Sequence, residues 1–333
     1  MKKIVLSLLV ILCTVAGCND VSTITSELID SSITLNNDNL STGKAAEILL
    51  VMDKTLPQQT QDSVYALLGK LQVGLPQAEP LFTIYQIDPE LFKKSFSRET
   101  NIIHIDVNSS YQEASCKIEK DYWSSPQIYA HIYAPTQEAV ISCLAENRDK
   151  ILDLMYDNDI AKLQAVQLKH RNVELERYVQ EKFGIMMTIP EEYAIGRETS
   201  DFLWLLYRTP KNDRFIMIYT TPNKKLTREA MMIKRNYITR QYIEGEDSKD
   251  VYPKITEYND LPLHQPIEIG SKEGAELRGL WETVNDYMGG PFYQFSFINI
   301  NGECVTIDGS IYAPKEPQYL YMREVEAIVK SVK

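Results

Sequence analysis

Between Asn101 and Ala134 the chain alternates apolar and polar residues in three successive runs. In the first, Ile103, Ile105 and Val107 share one side while Ile102, His104 and Asp106 take the other. Over residues 113–119, Ala114, Cys116 and Ile118 oppose Glu113, Ser115, Lys117 and Glu119. Over residues 127–134, Ile128, Ala130, Ile132 and Ala134 oppose Tyr129, His131 and Tyr133. Strand side chains point alternately to two faces, so the pattern demands strands with one buried and one wetter face. Antiparallel sheets commonly have this character, and antiparallel pairing is the expectation here.

Apolar runs predict two earlier strands, over residues 47–53 and 81–87. Val64, Leu67, Leu68 and Leu71 fall at helical spacing and predict a helix over residues 60–71; a short helix is expected over 89–94. Thr136 is a suitable N-cap. From there the chain reads as helix to residue 182, with breaks near Asn158 and His170, and Phe183-Gly184 ends it as a C-cap glycine does. Further strands are expected over 185–189, 201–207, 214–220, 263–269, 275–284, 292–299 and 305–312. A helix over 226–242 turns Leu226, Ala230, Met231, Ile233, Tyr237 and Ile238 inward, and Pro317 opens a last helix. Residues 244–250 read as a polar loop. A full series of strands and helices on each side of Phe183-Gly184 predicts an α+β class. It has two packed α+β regions with largely antiparallel sheets, over residues 43–183 and 184–333. No repeat at solenoid periods is evident.

The N-terminus carries an address. Met1-Lys2-Lys3 precede an apolar run from Ile4 to Val15, then Ala16-Gly17-Cys18. A basic start, an apolar core and small residues before a cut form a secretory signal. Residues 14–18 resemble a bacterial lipobox, which implies cleavage after residue 17 and lipid on Cys18. Residues 18–42, rich in Ser, Thr, Asn and Asp, then read as a flexible tether. The expected location is the cell envelope, lipid-anchored and at the outer membrane. The formal charge of −11 falls to −13 once Lys2 and Lys3 leave with the signal. An acidic chain with no basic run does not suit nucleic acid or anionic headgroups.

The motifs resemble a Bacteroidota lipoprotein family described only as a domain of unknown function, DUF4837. The matching stretches run from Gly43-Lys44 and Gly74-Leu75-Pro76-Gln77 through Asn101-Ile102 and Trp123 with Pro126-Gln127. They continue through Ile189-Pro190 with Tyr193, Phe202 with Trp204, and Arg278-Gly279-Leu280-Trp281. Met288-Gly289-Gly290-Pro291-Phe292 and Asp308-Gly309 with Tyr312-Ala313-Pro314 complete them. The resemblance implies no activity, so no catalytic residue is carried over. The second half also resembles, at the level of fold, the sandwich of PsbP and Mog1 proteins, which implies no function.

The sequence holds no P-loop, dinucleotide fingerprint, HExxH or GxSxG pattern. His104, Asp106 and His131 on neighbouring strands can gather two imidazoles and a carboxylate, a usable metal set, or simply form a solvated sheet face. Four histidines in all, with His170 and His264 isolated, predict no tightly bound transition metal and no cofactor. Glu191-Glu192 reads as a solvated pair. Cys116, Cys143 and Cys304 fit no zinc spacing, and an acidic neighbour, Glu303, argues against a reactive Cys304 thiol. The candidate binding residues are Arg278, Trp281, Tyr287, Met288, Gly289, Gly290 and Pro291, with Tyr129 and Tyr133 as an exposed pair elsewhere. The glycines and proline of 289–291 are expected to bend the chain out of the ladder and present Tyr287 and Met288 beside Arg278. These features predict a non-enzymatic binding or assembly module for a protein or glycan partner. The alternative is a hydrolase or metal-dependent enzyme of unfamiliar pattern.

Overall fold

The alternating runs do build a sheet, but its strands do not run as expected. The computed structural model describes residues 40–333 except 94, 246, 247, 249 and 259. The expected signal sequence, the expected lipidation at Cys18 and the expected tether up to residue 39 lie outside the described residues, as do parts of the expected 89–94 helix and 244–250 loop. In the first half, β1 (Glu47–Val51), α1 (Gln58–Leu68), β2 (Thr83–Ile87), β3 (Asn101–Val107), β4 (Ser115–Lys120) and β5 (Ile128–Ala134) follow in turn. The sheet order is β2-β1-β3-β5-β4. β1 runs parallel to β2 and β3, and β3 runs parallel to β5. Only the edge strand β4 pairs antiparallel, with β5.

The helix α2 (Gln137–Lys169) explains why alternation misled about direction. It packs along one face of β3, β4 and β5, and α1 packs on it. That face holds Ile103, Ile105, Ala130, Ile132 and Ala134. Among the described residues no helix covers the other face; loop side chains Phe92 and Trp123 do. Alternation therefore records one-sided cover, which a parallel sheet can also have.

Thr136 caps α2 as expected, its hydroxyl accepting from the Ala139 N–H at 3.2 Å. The helix then runs through Asn158 without a break. Asn158 and Asp159 are buried there and find tertiary partners: Asn101 donates to Asp159 at 2.9 Å, and Arg323 meets Asp159 at 2.7 Å. A polar pair that reads as a breaker is a docking point for the second half. The break at His170 is present, and Asn172 caps α3 (Val173–Phe183), which ends at Gly184 in the left-handed region.

The second half contains β6 (Ala194–Glu198), β7 (Phe202–Arg208), β8 (Asp213–Thr221), α4 (Arg228–Tyr242), β9 (Tyr252–Thr256) and β10 (Leu263–Ile269). β11 (Lys272–Val284), β12 (Gly289–Ile298), β13 (Cys304–Tyr312) and α5 (Tyr319–Val329) complete it. The sheet order is β10-β11-β12-β13-β8-β7-β6, with β9 also on β11, and every pairing is antiparallel. The class is α+β, and over the whole molecule antiparallel pairing predominates. The stretch 185–189 is not a strand. Ile185, Met187 and Ile189 are buried in turn, but the chain bonds to α5 and its tail, Thr188 N–H donating to Ser331 and Lys333 N–H to the Met186 carbonyl.

The two sheets lie on either side of Phe183-Gly184, and α5 packs on α2 between them. Arg323 of α5 is fully buried against Asp159, with its guanidinium over the Phe82 and Tyr156 rings. Glu326, one turn on, meets Arg278 at 2.6 Å and Lys330 at 2.8 Å and accepts from Tyr156. Burial pushes the Glu326 carboxyl up, but Arg278 and Lys330 outweigh it and hold it down to about 2. Glu79 from the first half accepts the Gln318 and Tyr319 N–H groups, capping α5 from outside. Negative charge at a helix start is stabilising because the first N–H groups have no partner within the helix.

Candidate ligand pocket

Helix α4 lies on the face of the second sheet opposite α5. Thr227 caps it, and its buried side carries Ala230, Met231, Met232, Lys234, Arg235, Ile238 and Thr239. The expected inward residues Ile233 and Tyr237 are instead exposed. The helix is rotated because β13 offers polar partners. Cys304, Thr306, Asp308 and Ser310 alternate toward α4, while Val305, Ile307 and Ile311 join the core under α5. Arg235 Nε donates to Asp308 at 2.6 Å, and its Nη2 donates to Ser310 at 3.0 Å. Lys234 donates to the carbonyls of Asn223 and Lys225 and to the Cys304 sulfur at 3.1 Å. Charges on the inward face of a helix are tolerable only when paired in this way.

Beside that pair opens a cavity of about 610 Å³. Trp204, Phe215, Tyr252, Trp281 and Met288 form much of its wall, while Arg235, Thr239 and Ser310 provide polar lining. Trp204 and Phe215 lie with ring centres 5.8 Å apart, and Arg235 lies 4.1 Å over the Phe292 ring. Ser310 is committed to Asp308 and Thr239 to the Pro253 carbonyl. Two buried N–H groups of the lining residues remain without a partner among the described residues: Arg235 Nη1 and Trp281 Nε1. A buried, unpaired donor costs about 1–3 kcal/mol, and both atoms are closed to solvent beneath the lining.

The expected binding residues separate. Trp281 and Met288 line the cavity, as do Thr283 and Asp286. Arg278 does not: it is three residues from Trp281 on β11, hence on the opposite face, where it meets Glu326 and stacks 4.7 Å over Tyr293. One surface cannot present both. Tyr287 is fully exposed at the turn. Gly289, Gly290 and Pro291 do not bend out of the sheet; they pair with Glu282, Trp281 and Leu280 as the start of β12. Pro291 is tolerated there because the β13 ladder begins only at Phe292. A Cβ on Gly290 would come within 2.1 Å of the Ile311 carbonyl, so glycine lets the strands close beside Trp281.

Tyr129 and Tyr133 are not an exposed pair. Tyr129 is buried, its hydroxyl 3.1 Å from His104 Nδ1, and Tyr133 is half-buried against Tyr111 and His131. Parallel register sets His104 opposite His131, with ring centres 4.8 Å apart. Burial, then His131, holds the His104 pKa down to about 4. Asp106 accepts from Tyr111. Among the described residues no three His, Cys, Asp or Glu side chains gather to hold a metal.

Residues 172–331 match the family described as Domain of unknown function (DUF4837). Residues 41–167, which hold the motifs between Gly43 and Gln127, match a different description, Domain of unknown function (DUF8532). A crystal structure of a Bacteroides thetaiotaomicron protein is similar at 7% identity and a TM-score of 0.25, over 45% of this chain. This chain spans 44% of that one, less than half its length. No curated protein matches the sequence.

Proposed function

We propose that this chain is a non-enzymatic binding or assembly module of the bacterial cell envelope. In this reading lipid on Cys18 holds it at the outer membrane, and the cavity under α4 in the DUF4837 domain receives a protein or glycan partner. The supporting observation is a cavity of about 610 Å³ with Trp204, Phe215, Tyr252 and Trp281 in its wall, beside the buried Arg235. Its size falls within the roughly 300–1,000 Å³ of small-ligand sites. The lining chemistry of Arg235 and Trp281 favours holding over reacting. A guanidinium stays protonated at any physiological pH and an indole only donates, so neither takes or gives a proton near neutrality.

The test is crosslinked recovery of partners by the full-length protein from its own envelope, compared with Met288→Trp, which fills the cavity. The reading expects the partner to be lost while the melting temperature holds. Unchanged recovery from a filled cavity would overturn it. Anchoring is tested separately: Cys18→Ser is expected to leave the protein unprocessed or in the soluble fraction, and normal cutting with membrane retention would contradict lipidation.

A further inference from the structure

At one end of the second sheet a buried lysine and a buried cysteine face each other. Cys304 opens β13, is fully buried, and pairs with Thr221 at the end of β8. Lys234 reaches it from the inward side of α4 and is 5% exposed. An ammonium has three N–H bonds to place. Two go to the carbonyls of Asn223 at 3.2 Å and Lys225 at 3.0 Å, and the third goes to the Cys304 sulfur at 3.1 Å. Arg235, the next residue, has a carboxylate at the same depth, Asp308 at 2.6 Å. Among the described residues no carboxylate takes that place for Lys234; the sulfur does. Glu303, read from the sequence as an argument against a reactive thiol, is exposed and accepts from Asn299 at 3.1 Å. A cation held on the sulfur is the setting of reactive thiols. Cys116 and Cys143 instead sit in the apolar packing of the first half, where burial pushes their thiols up, Cys116 to about 11. The loop that supplies the two carbonyls, residues 222–225, is exposed, so a molecule as small as hydrogen peroxide has a short way to the pair.

We propose that Lys234 and Cys304 form a modification site: hydrogen peroxide joins them through one oxygen atom, as an N–O–S bridge that ties α4 to β13. The site does not depend on what the cavity holds. A bridging oxygen spans most of the 3.1 Å already present, whereas a direct N–S bond would have to pull the two atoms much closer. The pair shares one proton, as ammonium with thiolate or amine with thiol, and its hydrogens number the same either way. The sulfur attacks one peroxide, the O–O bond breaks and a sulfenic acid forms. The leaving hydroxide takes a proton from the pair and departs as water, which leaves the nitrogen its lone pair. That nitrogen attacks a second peroxide and becomes a hydroxylamine, releasing a second water. The hydroxylamine oxygen then attacks the sulfenic sulfur, whose hydroxyl leaves with the hydroxylamine proton as a third water. Sulfur and nitrogen each give up two electrons, and each peroxide takes up two.

The test treats the reduced, full-length chain with hydrogen peroxide, removes the excess with catalase, caps free thiols with iodoacetamide and digests with trypsin. Peptide 229–235 carries Lys234 and peptide 279–315 carries Cys304. The expected product is these two peptides joined, with one oxygen gained and two hydrogens lost, and fragmentation placing the oxygen between Lys234 and Cys304 rather than on Met231, Met232 or Met288. Cutting after Lys234 and capping of Cys304 should both be lost, and both should return after dithiothreitol. The same treatment of the chain unfolded in urea should give no joined peptide, because the fold and not the sequence brings the two atoms together. Cys304→Ser and Lys234→Arg should each abolish the product. Oxidation of Cys304 to a sulfinic acid with Lys234 still cut would overturn the proposal. So would a joined peptide without the bridging oxygen, a Cys304 that stays fully capped, or equal joining in urea.

Discussion

Two clusters of aromatic side chains mark this molecule, one on the open face of the first sheet and one under α4, and they are built differently. On the first sheet the rings fill the face by touching each other. Phe92 meets Trp123 edge-on at 5.5 Å, Trp123 meets Tyr129 at 4.7 Å, and His131 meets Tyr133 at 5.1 Å. Under α4, Trp204, Phe215, Tyr252 and Trp281 stand around a space of about 610 Å³. Aromatic content is similar in kind; what differs is that the rings under α4, although Trp204 and Phe215 meet at 5.8 Å, leave a space between them. A run of tyrosines in a sequence therefore does not say whether its rings fill a face or surround a space.

The largest effect that tests this contrast is on the filled face. Tyr129→Ala should lower unfolding free energy by about 3–5 kcal/mol, the usual loss for a large buried ring, read by urea melts. A loss below about 1 kcal/mol would mean that the face is not packed as described. Acid should strain the same face. His104 has a pKa of about 4 against an ordinary 6.5, so the unfolded chain takes the proton first and stability falls as pH drops from about 6.5 to 4. The full effect is on the order of 3 kcal/mol. Urea melts across that range should show a flatter slope in His104→Gln. Glu326 acts in a lower window: its folded pKa of about 2 lies below 4.5, so its contribution is present above pH 4.5 and is lost between 4.5 and 2 in both proteins.

Around the cavity the same kind of change should cost little. Met288→Trp adds bulk where there is room, so its effect is expected to stay under about 1 kcal/mol, against the ~1–3 that overfilling a packed core costs. A larger loss would mean the space is not available. Tyr287→Ala, at the exposed turn, should fall within about 0.5 kcal/mol of the parent.

Much of this was legible in the sequence, and the losses have physical reasons. Alternation revealed β3, β4 and β5 and which face α2 would cover, because burial sets it. It did not reveal direction, which depends on the connections. β6 escaped notice because Ala194–Glu198 is exposed along its length and carries no burial pattern. The break read at Asn158 failed because the partners of Asn158 and Asp159 lie elsewhere in the chain. Of the candidate residues, Trp281 and Met288 line the cavity, while Arg278, grouped with them by nearness in sequence across an odd spacing, lies on the opposite face. Arg235 went unnoticed because a charged residue reads as the outer face of a helix. Its partner Asp308 is 73 residues away and only the fold supplies it.

The central claim is that the partner meets the cavity under α4 and not the aromatic face of the first sheet. A photoreactive benzoylphenylalanine placed at position 288, lining the cavity, or at position 122, on the filled face, tests it in living cells. Irradiation followed by mass analysis should give an adduct from position 288 and none from position 122. An adduct from position 122 with none from 288 would contradict the account.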